Sequence, residues 1–491
     1  MTFISCCNGE SVAWSDVPEL PVGQFLEGVL CATEDGARIV AWMMAAVDGR
    51  KSLLAALAQD ETGTILLGRT IPGERYRSIT PDCPQAHLFE RALHEEHGIV
   101  PEGHPWLKAV RYPLSSGAVS GGVGTFFSLA GEGVHEVAVG PVHAGVIEPG
   151  HFRFQCQGET VHHLEIALGY QHRGILRALA GGPYARTIHH METLAGDTSI
   201  GHAMAYARCI EALCDCTPSP DAERVRGVAL ELERLACHTG DLGALAGDVG
   251  FLPTSSYCGR LRGDFLNMTA LICGNRFGRG LVRPGGVAWG IEPERAARLV
   301  ERVDKTYRDT AIAANLLWET PSVMARFEGT GVVRRQTVLD LGLVGPAARA
   351  SGVERDARFN FPTGIYALAL VPMSTAESGD VFGRALVRWL EIERSVEFVR
   401  EQLAMPMTSE LMTPAKAMRG SRVAVGLIEG WRGEIAHVAV TDATGRFAGY
   451  SVTDPSFHNW TGLAMALRGE GISDFPLCNK SFNLSYCGHD L

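Results

Sequence analysis

Four segments carry apolar residues at the three- and four-residue spacing of an amphipathic helix. They are "GVALELERLACHTGDLGALAG" (Gly227 to Gly247), "LRGDFLNMTALICGNRFG" (Leu261 to Gly278), "IEPERAARLVERVDKTYRDTAIAANLLWE" (Ile291 to Glu319) and "GDVFGRALVRWLEIERSVEFVREQLA" (Gly379 to Ala404). Each is long enough to pack against the others, so together they predict a helix-bundle core. After them "VAVGLIEGWRGEIAHVAVTDATGRFAGYSVTD" alternates and is broken by turn residues, which predicts a small sheet laid against that bundle. From Val22 to about Tyr112 the pattern is mixed. "GARIVAWMMAAVDG" and "GTILLGRTI" are short strand-like runs, while "QAHLFERALHEEHG" has helical spacing, and the three read as a small α+β unit. "SSGAVSGGVG" (Ser115 to Gly124) is the most linker-like segment, and a strand-rich stretch, "EVAVGPVHAGVIEPGHFRFQCQGE", follows it. The expected class is α+β, with a small α+β domain over residues 1–122 and a mainly helical domain with a small sheet over 123–491.

The stretch "METLAGDTSIGHAMAYARCIEAL" (Met191 to Leu213) follows the pair His189-His190. Asp197, Thr198 and Ser199 are helix-starting residues, and the apolar run behind them predicts a helix that they cap. The turn before it has three readings: a metal site among His189, His190, Glu192 and His202, an anion seat on a helix N-terminus, or a site whose former occupant is gone. Adjacent histidines point to different sides of a helix and H-H-x-E has no known ligand geometry, so surface and core histidines are the plainer account.

Length, composition and charge narrow the function. A chain of 491 residues suggests two domains, and 46% hydrophobic with 20% charged residues is ordinary for a globular protein. The formal charge of −11 comes without a dense Lys/Arg tract, which argues against nucleic acid as a partner. "MTFISCCNGE" is unlike a signal peptide, and no apolar run approaches the eighteen or so residues needed to cross a bilayer, so a soluble protein able to dock on a membrane complex is expected. Thirteen cysteines without a signal peptide predict reduced thiols and a cytoplasmic location. None forms C-x-x-C; the nearest pairs are Cys6-Cys7 and Cys214-x-Cys216. The chain is therefore expected to bind no iron-sulfur cluster of its own. It also lacks the Gly-rich phosphate-binding motifs, and with them any sign of a nucleotide or NADH site.

Two further constellations carry chemistry. In "GPVHAGVIEPGHFRF" the turn dipeptides Gly140-Pro141 and Pro149-Gly150 would hold His143 and Glu148 at strand ends, where a partly buried carboxylate can carry protons; plain hairpin chemistry is the alternative. "GNRFGRGLVRPGGV" places Arg276, Arg279 and Arg283 among glycines, either as clamps for carboxylates or as surface ion pairs.

Taken in order, "GPVHAGVIEPGHFRF", "LGYQHRGI", "LELERLACH", "RPGGV", "GDVFGRALVRWLEIERS" and "EGWRGEIAHVAV" resemble the large subunit of energy-converting nickel-iron hydrogenases and the related D subunit of respiratory complex I. Ahead of them "FERALHEEHGIVPEGHP" (Phe89 to Pro105) resembles the complex I C subunit. The resemblance runs from about Gln85 to Leu491, and a C-D fusion is the arrangement of formate hydrogenlyase-type complexes. Hydrogen-converting members hold nickel and iron with two C-x-x-C motifs, because soft thiolates suit those metals. Counted from His202, the first pair falls on Ala195 and Thr198. The second, after Asp454-Pro455, falls on Ser456 and Asn459. The resemblance thus implies a branch that has lost its nickel ligands, with no metal bound by this chain and no hydrogenase activity. Complex I uses the vacated cavity for quinone, with a histidine in the strand turn and a tyrosine in the first motif. Here the tyrosine position is Gly196, one turn histidine is Glu148, and His143 alone is kept. Hydrogenases of this type are cut after the last cysteine motif. This chain runs on through "FPLCNKSFNLSYCGHDL", which is expected to stay and pack.

The resemblance further implies a small iron-sulfur subunit, like the complex I B subunit, whose 4Fe-4S cluster faces the cavity. It also implies other iron-sulfur subunits, an antiporter-like membrane arm, and a peripheral place on the cytoplasmic face of the inner membrane. The cavity would be bounded by the His143/Glu148 turn, the Ala195 to His202 turn with Gly196, Asp197 and Thr198, and the Asp454 to Asn459 segment with Ser456. On the first reading it takes quinone or another small acceptor, with Glu148 delivering protons and Arg432 stabilising negative charge, while the complex translocates ions. On the second, Met191, Phe457 or Trp460 fills it and the chain only couples its partners. The third, an active hydrogenase, predicts stoichiometric nickel.

Overall fold

The computed structural model describes residues 3–112, 125–143 and 147–491. The expected linker, Ser115 to Gly124, and the expected boundary after residue 122 lie outside the described residues. Helix and sheet are mixed, as an α+β chain requires.

All four long helices form, as Pro220–Asp248, Leu252–Cys273, Pro293–Trp318 and Val381–Ala404. The first is central and packs on the second and fourth, while the third closes against those two. Ser219 starts the central helix, since its side chain accepts from the Ala222 N–H and Pro220 occupies the first turn, where a missing N–H costs nothing. This helix lies so deep that its charges are buried and must be paired inside the protein. Arg234 bonds Glu231 at 3.0 Å and Glu391 at 3.2 Å, and Arg358 bonds Glu231 at 3.2 Å. The helix Ser199–Cys214 is buried nearly all round because it lies between the bundle and the C-terminal sheet.

The N-terminal sheet has the order Ile4–Cys6, Thr64–Thr70, Arg50–Gln59, Arg38–Val47, all antiparallel. Its central hairpin turns at Asp48-Gly49, whose φ values of 52° and 76° suit the primed two-residue turn that Asp-Gly favours. The C-terminal sheet has the order Phe447–Thr453, Gly433–Thr441, Arg422–Gly430, Ser11–Ala13. Its last strand comes from the start of the chain, with Ser11 opposite Ala424. A third sheet, of Thr160–Ala167, His151–Gln157 and Val134–Val139, carries the His143 turn between two of its strands.

The final segment packs as expected. The helices Phe475–Phe482 and Tyr486–Asp490 bury Leu477, Phe482, Tyr486 and Asp490 against the bundle and the helix Pro455–Ala466.

Candidate functional site

Ala195 to Ser199 form the turn that feeds the Ser199–Cys214 helix. The expected capping by Asp197, Thr198 and Ser199 does not occur. Thr198 is the N-cap residue but makes no side-chain cap bond, and the Ser199 hydroxyl donates instead to the Glu192 carbonyl at 2.8 Å. The helix is capped from outside: the Glu233 carboxylate, on the central helix, accepts from the N–H groups of Ile200 at 2.8 Å and Gly201 at 3.2 Å. A distant carboxylate reaches these orphan donors because the two helices cross closely here, which frees Asp197 for another partner.

That partner is Arg432, which stands beside Trp431 in the turn between two strands of the C-terminal sheet. Its guanidinium meets the Asp197 carboxylate with two prongs, at 2.6 and 2.9 Å, while its Nε donates to the Asn483 carbonyl at 2.5 Å. Burial pushes the Asp197 carboxyl up, but the Arg432 charge outweighs it and holds the group below its ordinary range. Thr198 Oγ1 accepts from the Trp431 indole at 3.1 Å and from Arg432 at 3.3 Å. The hairpin tip reaches this place only because Gly345 and Gly433, both at positive φ, pass so closely that a Cβ on Gly433 would lie 2.8 Å from the Gly345 backbone.

The second vacated pair lies at the start of the helix Pro455–Ala466. Asp454 caps it, with one oxygen accepting from the Ser456 N–H at 2.8 Å and the other from the His202 ring at 3.0 Å. Burial raises the Asp454 carboxyl, and His202 together with Arg432 more than reverses this. Ser456 Oγ accepts from the Ser485 N–H at 2.9 Å. The Asn459 amide makes two bonds of 3.0 Å with the Val344 backbone, one donated and one accepted. Gly488 lies against Asp454, where an added Cβ would sit 2.7 Å from the carboxylate. The chain's last segment therefore passes through the region that the resemblance leaves vacant. Ala195, Thr198, Ser456 and Asn459 are buried, and Met191, Phe457 and Trp460 are buried with them. Beside Asp197, Glu233 and Arg276 there is space of about 10 Å³, enough for about one water. A methyl, two hydroxyls and an amide offer no thiolate, and every polar one is already bonded within the chain. This donor set does not fit a nickel-iron centre.

Other residues singled out from the sequence spread more widely. His143 bonds the Gly150 carbonyl at 2.8 Å, and Glu148 accepts from the Tyr486 N–H at 3.2 Å, so the strand turn touches the final segment. Gly196 is exposed, and nothing lies within 4 Å of a Cβ built on it. His189 and Glu192 pair at 3.1 Å, but His202 turns away from them toward Asp454. Among the described residues no three His, Cys, Asp or Glu side chains gather to hold a metal. Arg276 and Arg279 stack over Phe277, and the Arg283 carbonyl accepts from Arg226.

The sequence reading passed over Glu233, His437, Tyr450 and Tyr486. A signal existed for one of them, since His437 is a lone titratable residue inside the apolar run "IAHVAV". For Glu233 the signal was ambiguous, because charged residues on a long helix are ordinarily solvated.

The family described as the 49 kDa subunit of respiratory-chain NADH dehydrogenase matches residues 248–424. The chain is 30% identical over 354 residues to the carbon monoxide-induced hydrogenase of Rhodospirillum rubrum, covering 71% of this chain and 97% of that protein. It is 26% identical over 433 residues to formate hydrogenlyase subunit 5 of Escherichia coli, covering 84% and 76% respectively. With NADH-quinone oxidoreductase subunit 4 of Thermus thermophilus it shares 29% over 363 residues, covering 68% and 89%. No helix among the described residues is long and apolar enough to cross a membrane. The chain belongs to the family that unites these hydrogenases with the 49 kDa, or D, subunit of NADH-quinone oxidoreductases.

Proposed function

We propose that this chain is the fused C/D-type large subunit of a membrane-associated oxidoreductase complex. Within it the chain acts as a coupling subunit, without a nickel-iron centre and without hydrogenase activity. One observation carries this reading: Thr198, Ser456 and Asn459, at three of the four vacated positions, are buried and bonded to Trp431, Ser485 and Val344 of the same chain. A site kept for a substrate leaves such groups free to meet it. The partners on this reading are a small iron-sulfur subunit carrying a 4Fe-4S cluster, other iron-sulfur subunits and an ion-translocating, antiporter-like membrane arm. The chain would sit peripherally on the cytoplasmic face of the inner membrane. Its relatives' names, which include hydrogenases and NADH-quinone oxidoreductase subunits, support the kind of complex.

A second reading, electron transfer to quinone or another small acceptor, has support from Asp197, whose side chain is 33% exposed next to the open Gly196, and from Glu148, which bonds the final segment from the strand turn. Gly196→Ser and Glu148→Gln in the assembled complex separate the two. If the chain couples, electron transfer stays within about twofold of the parent for both variants. Loss of electron transfer in a complex that still assembles would overturn the coupling reading in favour of the acceptor site. Nickel in stoichiometric amount would overturn both.

A further inference from the structure

A cavity of about 100 Å³ lies between the helices His87–His97 and Pro455–Ala466 and the strand Thr160–Ala167. Arg91, Trp106, Lys108 and Ala109 are among the residues that line it. Arg91 is 6% exposed, and its guanidinium is fixed in this wall. It lies 4.4 Å from the centre of the Trp106 ring, its Nε donates to the Lys108 carbonyl at 2.7 Å, and its Nη2 donates to the Ala109 carbonyl at 2.9 Å. The other terminal nitrogen, Nη1, makes no hydrogen bond among the described residues, yet it is not sealed from solvent.

A guanidinium buried this deeply ordinarily has a carboxylate against it, because taking a lone charge out of water is costly. Arg91 bonds only carbonyls, and no carboxylate of the described residues comes within 4 Å of it. The remaining residues, 1–2, 113–124 and 144–146, include no Asp or Glu. Two carboxylates act on Arg91 from farther off, Glu95 and Glu165, and both are committed elsewhere. Glu95 accepts from the N–H groups of Val110, Arg111 and Tyr112 at 3.2, 2.8 and 2.7 Å. Glu165 pairs with Lys108 and accepts from the Phe127 N–H at 2.9 Å. Burial pulls the Arg91 guanidinium down to about 10, so it is still charged at neutral pH and short of counter-charge. Arg468, exposed and also lining the cavity, is a second cation with no carboxylate of the described residues within 4 Å.

We propose that this cavity is a binding site for a short-chain monocarboxylate. One carboxylate oxygen accepts from Arg91 Nη1, and the apolar body lies in the part lined by Leu164, Leu168, Ala464 and Met465. Only one nitrogen of the guanidinium is open, so the contact is single and not the fork that Arg432 makes with Asp197. A phosphate would need more donors than this wall offers, whereas a monoanion with an aliphatic tail matches one donor and apolar sides. Size sets the length of that tail. One water position takes about 10–15 Å³ of such space, so the cavity holds about half a dozen non-hydrogen atoms, which is the size of propionate or butyrate. The site uses no group of the vacated loop, so it stands apart from the choice between the two readings above.

Saturation-transfer NMR of the full chain with sodium propionate tests this directly. Propionate should bind with a Kd of about 1 mM or tighter, and the neutral propionamide, which has the same shape, should show no transfer. Arg91→Gln should weaken propionate about tenfold or more, and Ala464→Phe, which fills the cavity and leaves Arg91 in place, should abolish its binding. An equal concentration of inorganic phosphate should not displace it. Absence of transfer from the parent to propionate would overturn the site, and so would unchanged binding in a folded Ala464→Phe chain. Propionamide binding as well as propionate would overturn the anion, and displacement by phosphate would overturn the monocarboxylate. Should either variant not fold, nuclear Overhauser contacts from the propionate methyl to Leu164 and Ala464 in the parent decide the matter, and their absence would overturn the site.

Discussion

Asp197 and Arg432 face each other as a two-pronged ion pair, with contacts of 2.6 and 2.9 Å, that ties the turn before one helix to the tip of a hairpin more than two hundred residues later. Arg432 is 6% exposed and also holds the Asn483 carbonyl, so its loss strands acceptors on two elements at once. Arg432→Ala should cost about 2–4 kcal/mol of stability, and Arg432→Lys, which keeps the charge but not the fork, about 1–2. Urea unfolding followed by circular dichroism measures both, and equal stabilities for Lys and Arg would show that the fork contributes nothing.

Glu233 gives the chain a pH dependence of its own. Burial raises its carboxyl to about 8, against the opposing pull of the Ile200 and Gly201 N–H groups. In the unfolded chain it titrates near the ordinary 4.5, so between these values the folded state binds more protons than the unfolded one. The contribution of this group to stability therefore falls as pH rises from about 4.5 and is at its lowest above about 8. Glu233→Gln removes the titration while keeping an acceptor for the helix cap. Relative to the parent, its unfolding free energy should improve by roughly 4 kcal/mol between pH 5 and pH 9. A difference that stays flat over that range would mean that Glu233 remains ionised in the folded protein.

Two glycines at one site should respond oppositely to a single methyl. Gly196→Ala adds a Cβ with nothing within 4 Å, whereas Gly488→Ala drives one to 2.7 Å from the Asp454 carboxylate. The first change should move stability by no more than about 0.5 kcal/mol, and the second should lower it by about 1–3. Thermal unfolding midpoints of the two variants, run side by side, would reveal whether the final segment is packed as tightly as this contact requires.

The buried ion network predicts a steeper loss. Arg349 is fully buried between Glu391 and Glu429, and Arg349→Met would leave both carboxylates without this partner. The expected cost is about 3–5 kcal/mol, with folding yield falling accordingly. Recovery when Glu429→Gln is added would identify Glu429 as the carboxylate left unpaired, and no recovery would point to Glu391.

Much of the fold could be read from periodicity. The four bundle helices and the strands around Trp431 were legible because long amphipathic repeats and turn-punctuated alternation are local properties of the chain. Pairing between distant segments was not. Nothing in "SVA" (Ser11 to Ala13) announces a partner at Arg422, because a three-residue edge strand has no periodicity to detect. At the candidate site the motifs located Asp197, Arg432, His202 and Asp454 but not what each one touches. Asp197 reads as a helix cap in sequence, and it loses that task to Glu233 because a carboxylate thirty-six residues away is brought closer by packing than its own neighbours allow. His437 and Tyr450 stayed hidden for a related reason. Their bonds to each other and to His202 arise from two adjacent strands meeting one helix, which no single window of sequence contains.

The pairing of Ser11–Ala13 with Arg422–Gly430 also sets a schedule for biosynthesis. A ribosome adding about 5–20 residues per second needs roughly 20–80 s to travel from one strand to the other. Throughout that interval the first strand must wait with its sheet-forming edge unmatched, available to chaperones or to the wrong neighbour. Maturation of this protein is therefore paced by the arrival of the Arg422–Gly430 strand, and a nascent chain arrested before Arg422 should remain protease-sensitive at both ends of the molecule.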